Sequence, residues 1–104
     1  MANLYAGIPS QVSEELTQVL LSTQGVRIER IVSLGHSSPP DFWYHQDEDE
    51  WVLVLMGAAR ISFEDEELEL MSGDYLHIRA HRKHRVEWTT PTDATIWLAV
   101  FHNQ

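Results

Sequence analysis

From Val26 to Phe101 apolar and polar residues alternate in short runs, the period of two that marks half-buried strands. Val26 and Ile28 flank Arg27. After the charged pair Glu29 and Arg30, the adjacent apolar residues Ile31 and Val32 break the alternation. That break predicts a bulged strand, or one buried on both faces, ending before Gly35. Ser37, Ser38, Pro39 and Pro40 make an irregular connection. Trp51 to Met56, WVLVLM, is a continuous apolar run between an acidic stretch and Gly57, and its length fits a strand buried on both faces better than a helix. Ala59, Ile61 and Phe63 alternate with Arg60 and Ser62, and Leu68 and Leu70 with Glu67 and Glu69; Glu64 to Glu67 reads as an acidic turn between them. Ser72, Gly73 and Asp74 form a turn before the short strand Tyr75 to Ile78. Val86 and Trp88 alternate with Arg85 and Glu87, a turn lies around Pro91 to Asp93, and Ile96 to Phe101 is a last apolar strand. Strand signals spaced by roughly ten residues predict an all-β antiparallel sandwich or barrel.

The N-terminal part has a different period. After Pro9 and Ser10, the residues Val12, Leu16, Val19 and Leu20 recur at helical spacing, Glu14 and Glu15 suit the positive end of a helix dipole, and Gly25 is a stop signal. A short N-terminal helix is therefore expected, with residues 1–25 as a helical lead-in and 26–104 as the β domain. The runs 51–56 and 96–101 are apolar on both faces, whereas a small barrel offers its interior to one face of each strand. The helix covers part of the remaining surface and a second subunit the rest, so a homodimer is expected.

The 104 residues include 7 Lys and Arg against 16 Asp and Glu, a net charge of −9. Nucleic-acid phosphates and anionic membranes would be bound against that field, so neither is an expected partner. There are no cysteines, which excludes disulfides, thiol nucleophiles and Cys-ligated zinc or iron–sulfur clusters; any metal must be held by nitrogen and oxygen. The N-terminus lacks a basic region followed by an apolar run, and a cytoplasmic protein is expected. No nucleophile elbow, P-loop or dinucleotide fingerprint is present.

Candidate chemistry centres on His45, Glu50 and His84. Glu50 opens the 51–56 strand on the face of Val52, Val54 and Met56, a carboxylate directed into an apolar interior, where it needs a partner. His84 shares its face with Val86 and Trp88. His45 and Glu50 are an odd number of residues apart, so they converge only if the backbone bends between them; Gln46, Asp47, Glu48 and Asp49 are poor strand formers and allow a bend. Two imidazoles and a carboxylate make a facial triad suited to iron, manganese, nickel or zinc. The bland alternatives are a structural Glu50 paired with Arg60 or Arg79, and a surface His45.

These residues resemble the cupin family over about residues 26–101. Its first motif can be written G-x5-H-x-H-x4-E-x6-G, matched here by His45, Glu50 and Gly57; its second, G-x5-P-x-G-x2-H-x3-N, is similar to Gly73 through His84. Trp43 stands at the first histidine, Arg79 at the proline, His81 at the second glycine and Trp88 at the asparagine, while Gly35 lies two residues too far upstream. The resemblance implies an antiparallel jelly-roll barrel with a site inside, and His45, Glu50 and His84 in three of the four metal-ligand positions. Trp43, Tyr44, His81 and Trp88 are expected to line a substrate pocket, with Trp97 more a core residue. Three functions are consistent with this. One is a metal-dependent enzyme acting on a small organic molecule as a dioxygenase, isomerase or decarboxylase. Another is a non-catalytic module binding a small ligand or metal. The third is a metal-free cupin using His84 with Tyr75 or Tyr44 as acid and base on a sugar or keto substrate.

Overall fold

The computed structural model describes residues 1–11 and 13–103, and among them every regular element is a strand. The eight strands are β1 (Leu16–Thr23), β2 (Val26–Ser33), β3 (Asp49–Met56), β4 (Ala58–Phe63), β5 (Glu67–Met71), β6 (Tyr75–Ile78), β7 (His84–Thr89) and β8 (Thr95–His102). They form a five-stranded antiparallel sheet in the order β1-β2-β8-β3-β6 and a three-stranded one in the order β5-β4-β7.

The expected N-terminal helix is absent among the described residues, and of the residues that suggested it Val12 lies outside them. Leu16, Val19 and Leu20 belong to β1, which pairs with β2 through the Gly25 hairpin. The helical spacing arose from a strand with one irregularity: Val19 pairs with Glu29 and Leu21 with Ile28, so Leu20 is an extra residue. A bulge shifts the alternation by one and converts a period of two into a spacing that imitates a helix. The bulge anticipated in β2 therefore sits in its partner. Gly25, read as a helix stop, has φ +86°, the left-handed backbone of a tight hairpin.

The core lies between the sheets. Val52 and Val54 of β3, Ile78 of β6, and Trp97, Ala99 and Phe101 of β8 meet Ala59, Ile61 and Phe63 of β4 and Leu70 of β5. The two-residue periods of β4 and β5 are those of the sequence. On the outer side of the large sheet Val32 and Ile96 are also buried. An irregular N-terminal segment runs near this part of the sheet: Arg30 donates to the carbonyls of Leu4 and Ala6 at 3.1 and 2.6 Å and also grips Gln18.

Gly57 makes the β3–β4 turn at φ +97°. A Cβ there would clash with Thr95 Oγ1 and stand 2.7 Å from the Thr95 backbone, so the turn has no room for a side chain.

Candidate functional site

Between β2 and β3 the chain runs beside β7 before it enters the large sheet. Ser38 N–H donates to Val86 O, Tyr44 N–H to His84 O at 2.7 Å, His84 N–H back to Tyr44 O at 3.1 Å, and His81 N–H to Gln46 O at 2.8 Å. This pairing fixes which side chains turn inward. Tyr44 and His84 are bridge partners on one face, and Gln46 and Glu50 keep Tyr44's even parity. The backbone does not bend by the one residue that His45 needed. His45 is exposed and its ring lies 5.3 Å from that of His81, which is exposed too. His81 occupies a left-handed backbone position, φ +68°, where the related motif has glycine.

The inward residues surround a cavity of about 210 Å³, lined by Glu15, Thr17, Glu29, Tyr44, Gln46, Glu50 and His84 among apolar walls that include Val52, Ile61, Val86, Trp97 and Phe101. At roughly 30 Å³ per liquid water, it holds a molecule displacing about seven waters, fewer than a drug-sized pocket holds.

Glu50 and His84 are both buried. His84 Nε2 stands 3.5 Å from Glu50 Oε1, and Gln46 Nε2 donates to the same oxygen at 3.0 Å. On the far side of the imidazole, Nδ1 is 2.9 Å from the Arg82 carbonyl. A carbonyl only accepts, so Nδ1 carries a hydrogen and Nε2 is the nitrogen turned to Glu50. Arg82 is itself anchored: its guanidinium lies 3.7 Å over the Phe63 ring and donates to Glu66 at 2.8 Å. Tyr44 stacks on His84 with ring centroids 5.5 Å apart.

Burial holds the Tyr44 phenol above its ordinary value of 10, and the negative charges of Glu15 and Glu50 push it the same way. Tyr44 is therefore a hydrogen-bond donor throughout the neutral range. In a difference ultraviolet titration against Tyr44→Phe, its phenolate should appear above pH 10, and Glu50→Gln should move the midpoint down toward 10. A midpoint indifferent to Glu50→Gln would place the two groups apart.

Two further carboxylates reach the cavity, each held in place. Glu15 accepts from Ser33 Oγ at 2.7 Å, and Ser33 in turn takes the Trp97 indole N–H at 3.1 Å. Glu29 is paired with Arg27 at 2.6 Å, and Arg27 bridges on to Glu48 while lying over the Phe101 ring. Burial opposes the Arg27 charge, but the hydrogen bonds and charges of Glu29 and Glu48 outweigh it and raise its pKa. Among the described residues, no Lys or Arg lines the cavity.

Residues 30–101 match the family model described as a cupin domain. The chain belongs to the cupin family. A candidate mannose-6-phosphate isomerase from Ralstonia eutropha is 43% identical, with a TM-score of 0.97, covering 100% of this chain and 98% of that one. A cupin superfamily protein from Desulfitobacterium hafniense is 22% identical (TM-score 0.78; 93% of this chain, 84% of that one). A conserved Streptococcus pyogenes protein of unknown function is 18% identical (TM-score 0.78; 100% and 87%). The last two are likenesses of fold. No curated protein matches the sequence.

Within this cupin, Glu50, His84 and Tyr44 meet at the cavity. His45 does not. Trp43 is exposed and outside the lining, as is His81. Trp88 is turned away by a bulge: Arg60 pairs with Trp88 but Ile61 with Val86, so Glu87 is an extra residue and Trp88 lies under the Arg60 guanidinium at 5.3 Å. Arg60 pairs with Glu67 rather than Glu50, and Arg79 is exposed. Tyr75 is 68% exposed, against Trp51 and remote from the cavity lining. Trp97 is at once core and cavity wall. Sequence reasoning missed Gln46, which shares parity with Glu50, Glu15 and Thr17, which a helical reading of the N-terminus puts elsewhere, and Glu29, read only as one of a charged pair.

Proposed function

We propose that this cupin binds a small carbonyl compound, uncharged or cationic, in its cavity and moves a proton on it without a metal. The two sheets are read as the two halves of the family's jelly-roll barrel. The observation that carries the proposal is the orientation of His84: Nδ1 is committed to the Arg82 carbonyl, so Nε2 presents its lone pair to the cavity beside Glu50 at 3.5 Å. Such a nitrogen is a base whose protonated form has a carboxylate counter-charge already in place. His84 takes the proton from the carbon next to the carbonyl, the electron pair of that C–H bond forms the C=C bond of an enediol, and Tyr44 donates to the carbonyl oxygen. Tyr44 passes its proton to that oxygen and recovers one from the adjacent hydroxyl, whose O–H pair forms the new carbonyl as the C=C pair takes the His84 proton onto the former carbonyl carbon; this completes an aldose–ketose type isomerisation with no oxidant or reductant.

The donor set does not fit the three-ligand metal centre expected from His45, Glu50 and His84. With His45 on the outside, the cavity offers one imidazole, the Glu50 carboxylate and the Gln46 amide, whose NH2 faces Glu50, while the Glu15 and Glu29 carboxylates are committed to Ser33 and Arg27. No step is therefore routed through iron, manganese, nickel or zinc.

The Ralstonia protein's name points to a phosphosugar. For this chain the lining argues for an unphosphorylated substrate, because three carboxylates and no Lys or Arg repel a phosphate dianion and leave it unpaired. The test is proton exchange in D2O, followed by NMR, with small aldoses, hydroxyketones and their phosphates in the presence of a chelator. Exchange next to the carbonyl of unphosphorylated compounds, abolished by His84→Gln, is expected. A preference for phosphorylated substrates, or exchange that needs added metal, would contradict it.

A homodimer is proposed with it, in a cytoplasmic setting. Leu21, Ile28, Val100 and Trp51 form one apolar row across β1, β2, β8 and β3 on the outer face, and Val19, Leu20 and Leu21 on the edge strand are 58, 47 and 50% exposed. A second copy would cover this row. Light scattering should give twice the chain mass for the native protein and the chain mass for Leu21→Lys; a native monomer would remove the proposal.

A further inference from the structure

A second constellation lies on the outer face of the large sheet, away from the cavity. Asp49 pairs with His102 across β3 and β8, and Trp51, two residues on, pairs with His77 across β3 and β6. Residues 49 and 51 share a face, opposite to that of Glu50, so Asp49, His77 and His102 converge outside the barrel. One ligand atom from each lies within 4.8 Å of the others. His77 Nε2 and His102 Nε2 are 3.2 Å apart, with the ring planes only 14° from parallel and the centroids 5.3 Å apart. The two rings thus point their Nε2 atoms at each other instead of lying face over face.

We propose that Asp49, His77 and His102 form a binding site for a divalent transition ion of the zinc, nickel or copper type. Two nitrogens bound to one tetrahedral ion at about 2.0–2.1 Å stand roughly 3.3 Å apart, close to the observed separation, so the rings need only turn until both lone pairs converge on the ion instead of on each other. The carboxylate is oriented by the Ala80 N–H, which donates to Asp49 Oδ1 at 2.7 Å, the kind of outer hydrogen bond that holds a ligand for its metal. Without the ion, one imidazole donates its Nε2 hydrogen to the other; on binding, that hydrogen moves to Nδ1 and both Nε2 atoms turn to the metal. Imidazole nitrogen with one carboxylate oxygen suits these ions over magnesium or calcium, which prefer all-oxygen shells. The three ligands come from β3, the edge strand β6 and the end of β8. A bound ion therefore ties that corner of the sheet together and leaves a fourth position for water or an incoming donor.

The test is a zinc titration of untagged, full-length protein by calorimetry, with thermal unfolding as a second readout. One zinc per chain and a raised unfolding midpoint are expected. In His77→Ala and His102→Ala, binding weakens by about tenfold or more and the midpoint no longer responds; the double variant loses both. Glu50→Gln, which alters only the cavity, keeps the zinc response, so failure of this site and failure of the cavity reading are told apart. Absence of zinc binding at micromolar concentrations would overturn the proposal, as would zinc binding that survives the double variant and disappears in Glu50→Gln.

Discussion

His84→Ala should destabilise the protein by about 1–3 kcal/mol and abolish activity, because it empties the space beside the buried Glu50 carboxylate and leaves it with the Gln46 amide alone of the two neighbours. The two side chains are only 6% and 12% exposed. Stability loss alone would not separate a catalytic pair from a structural one. The double variant His84→Leu with Glu50→Leu makes that separation. Removing both partners removes the unpaired charge and refills the space with apolar atoms, which is often neutral for stability. The double variant should unfold in urea near the native midpoint and still show no proton exchange on any carbonyl compound. If it is as unstable as His84→Ala, the cost lies in lost packing around Tyr44 and Phe63 and not in the stranded carboxylate.

Gly57→Ala should have an effect of similar size at a place with no chemistry. The added methyl meets the Thr95 backbone at 2.7 Å and clashes with its side chain, and the backbone must hold φ at +97° besides. Thr95 is fully buried and its hydroxyl lies 3.3 Å from the Ala58 carbonyl, so it has nowhere to retreat. Strain at the dihedral and the clash together cost about 3 kcal/mol, which lowers the thermal midpoint of a domain this size by roughly 12–24 °C. The cavity residues are untouched, so protein refolded at low temperature should retain its activity. A midpoint within a few degrees of the native one would show that the β3–β4 turn can relax.

The sheet interior was legible in the sequence because inward residues of β3, β4, β5 and β8 keep a strict period of two. The errors share one physical origin. Each bulge inserts a residue and exchanges the faces of everything beyond it, and a sequence does not announce where this happens. Leu20 made β1 imitate a helix, Glu87 turned Trp88 outward, and a shift between Val54 and Met56 removed Met56 from the face of Glu50 by pairing it with Ile96. At the site, His45 and Glu50 converge only through a bend that the poor strand formers 46–49 allow, whereas the segment obeys plain alternation, brings Tyr44 and Gln46 inward and leaves His45 exposed. Glu50 and His84 were recoverable because a carboxylate and an imidazole sat on otherwise apolar faces. His77 and His102 could not be paired from sequence, since only the register across β6, β3 and β8 sets them side by side.

The central claim is that His84 is a proton site paired with Glu50 and not a metal ligand. Long-range proton–nitrogen NMR of the histidine side chains tests it most directly, recorded on the His77→Ala/His102→Ala variant, which lacks the outer metal site, with chelator and again with added manganese or zinc. The account predicts a protonated Nδ1 on His84, an Nε2 signal that shifts in Glu50→Gln, and neither broadening nor displacement of that signal by metal. An Nε2 signal that is lost or displaced when metal is added, and restored by chelator, would contradict it.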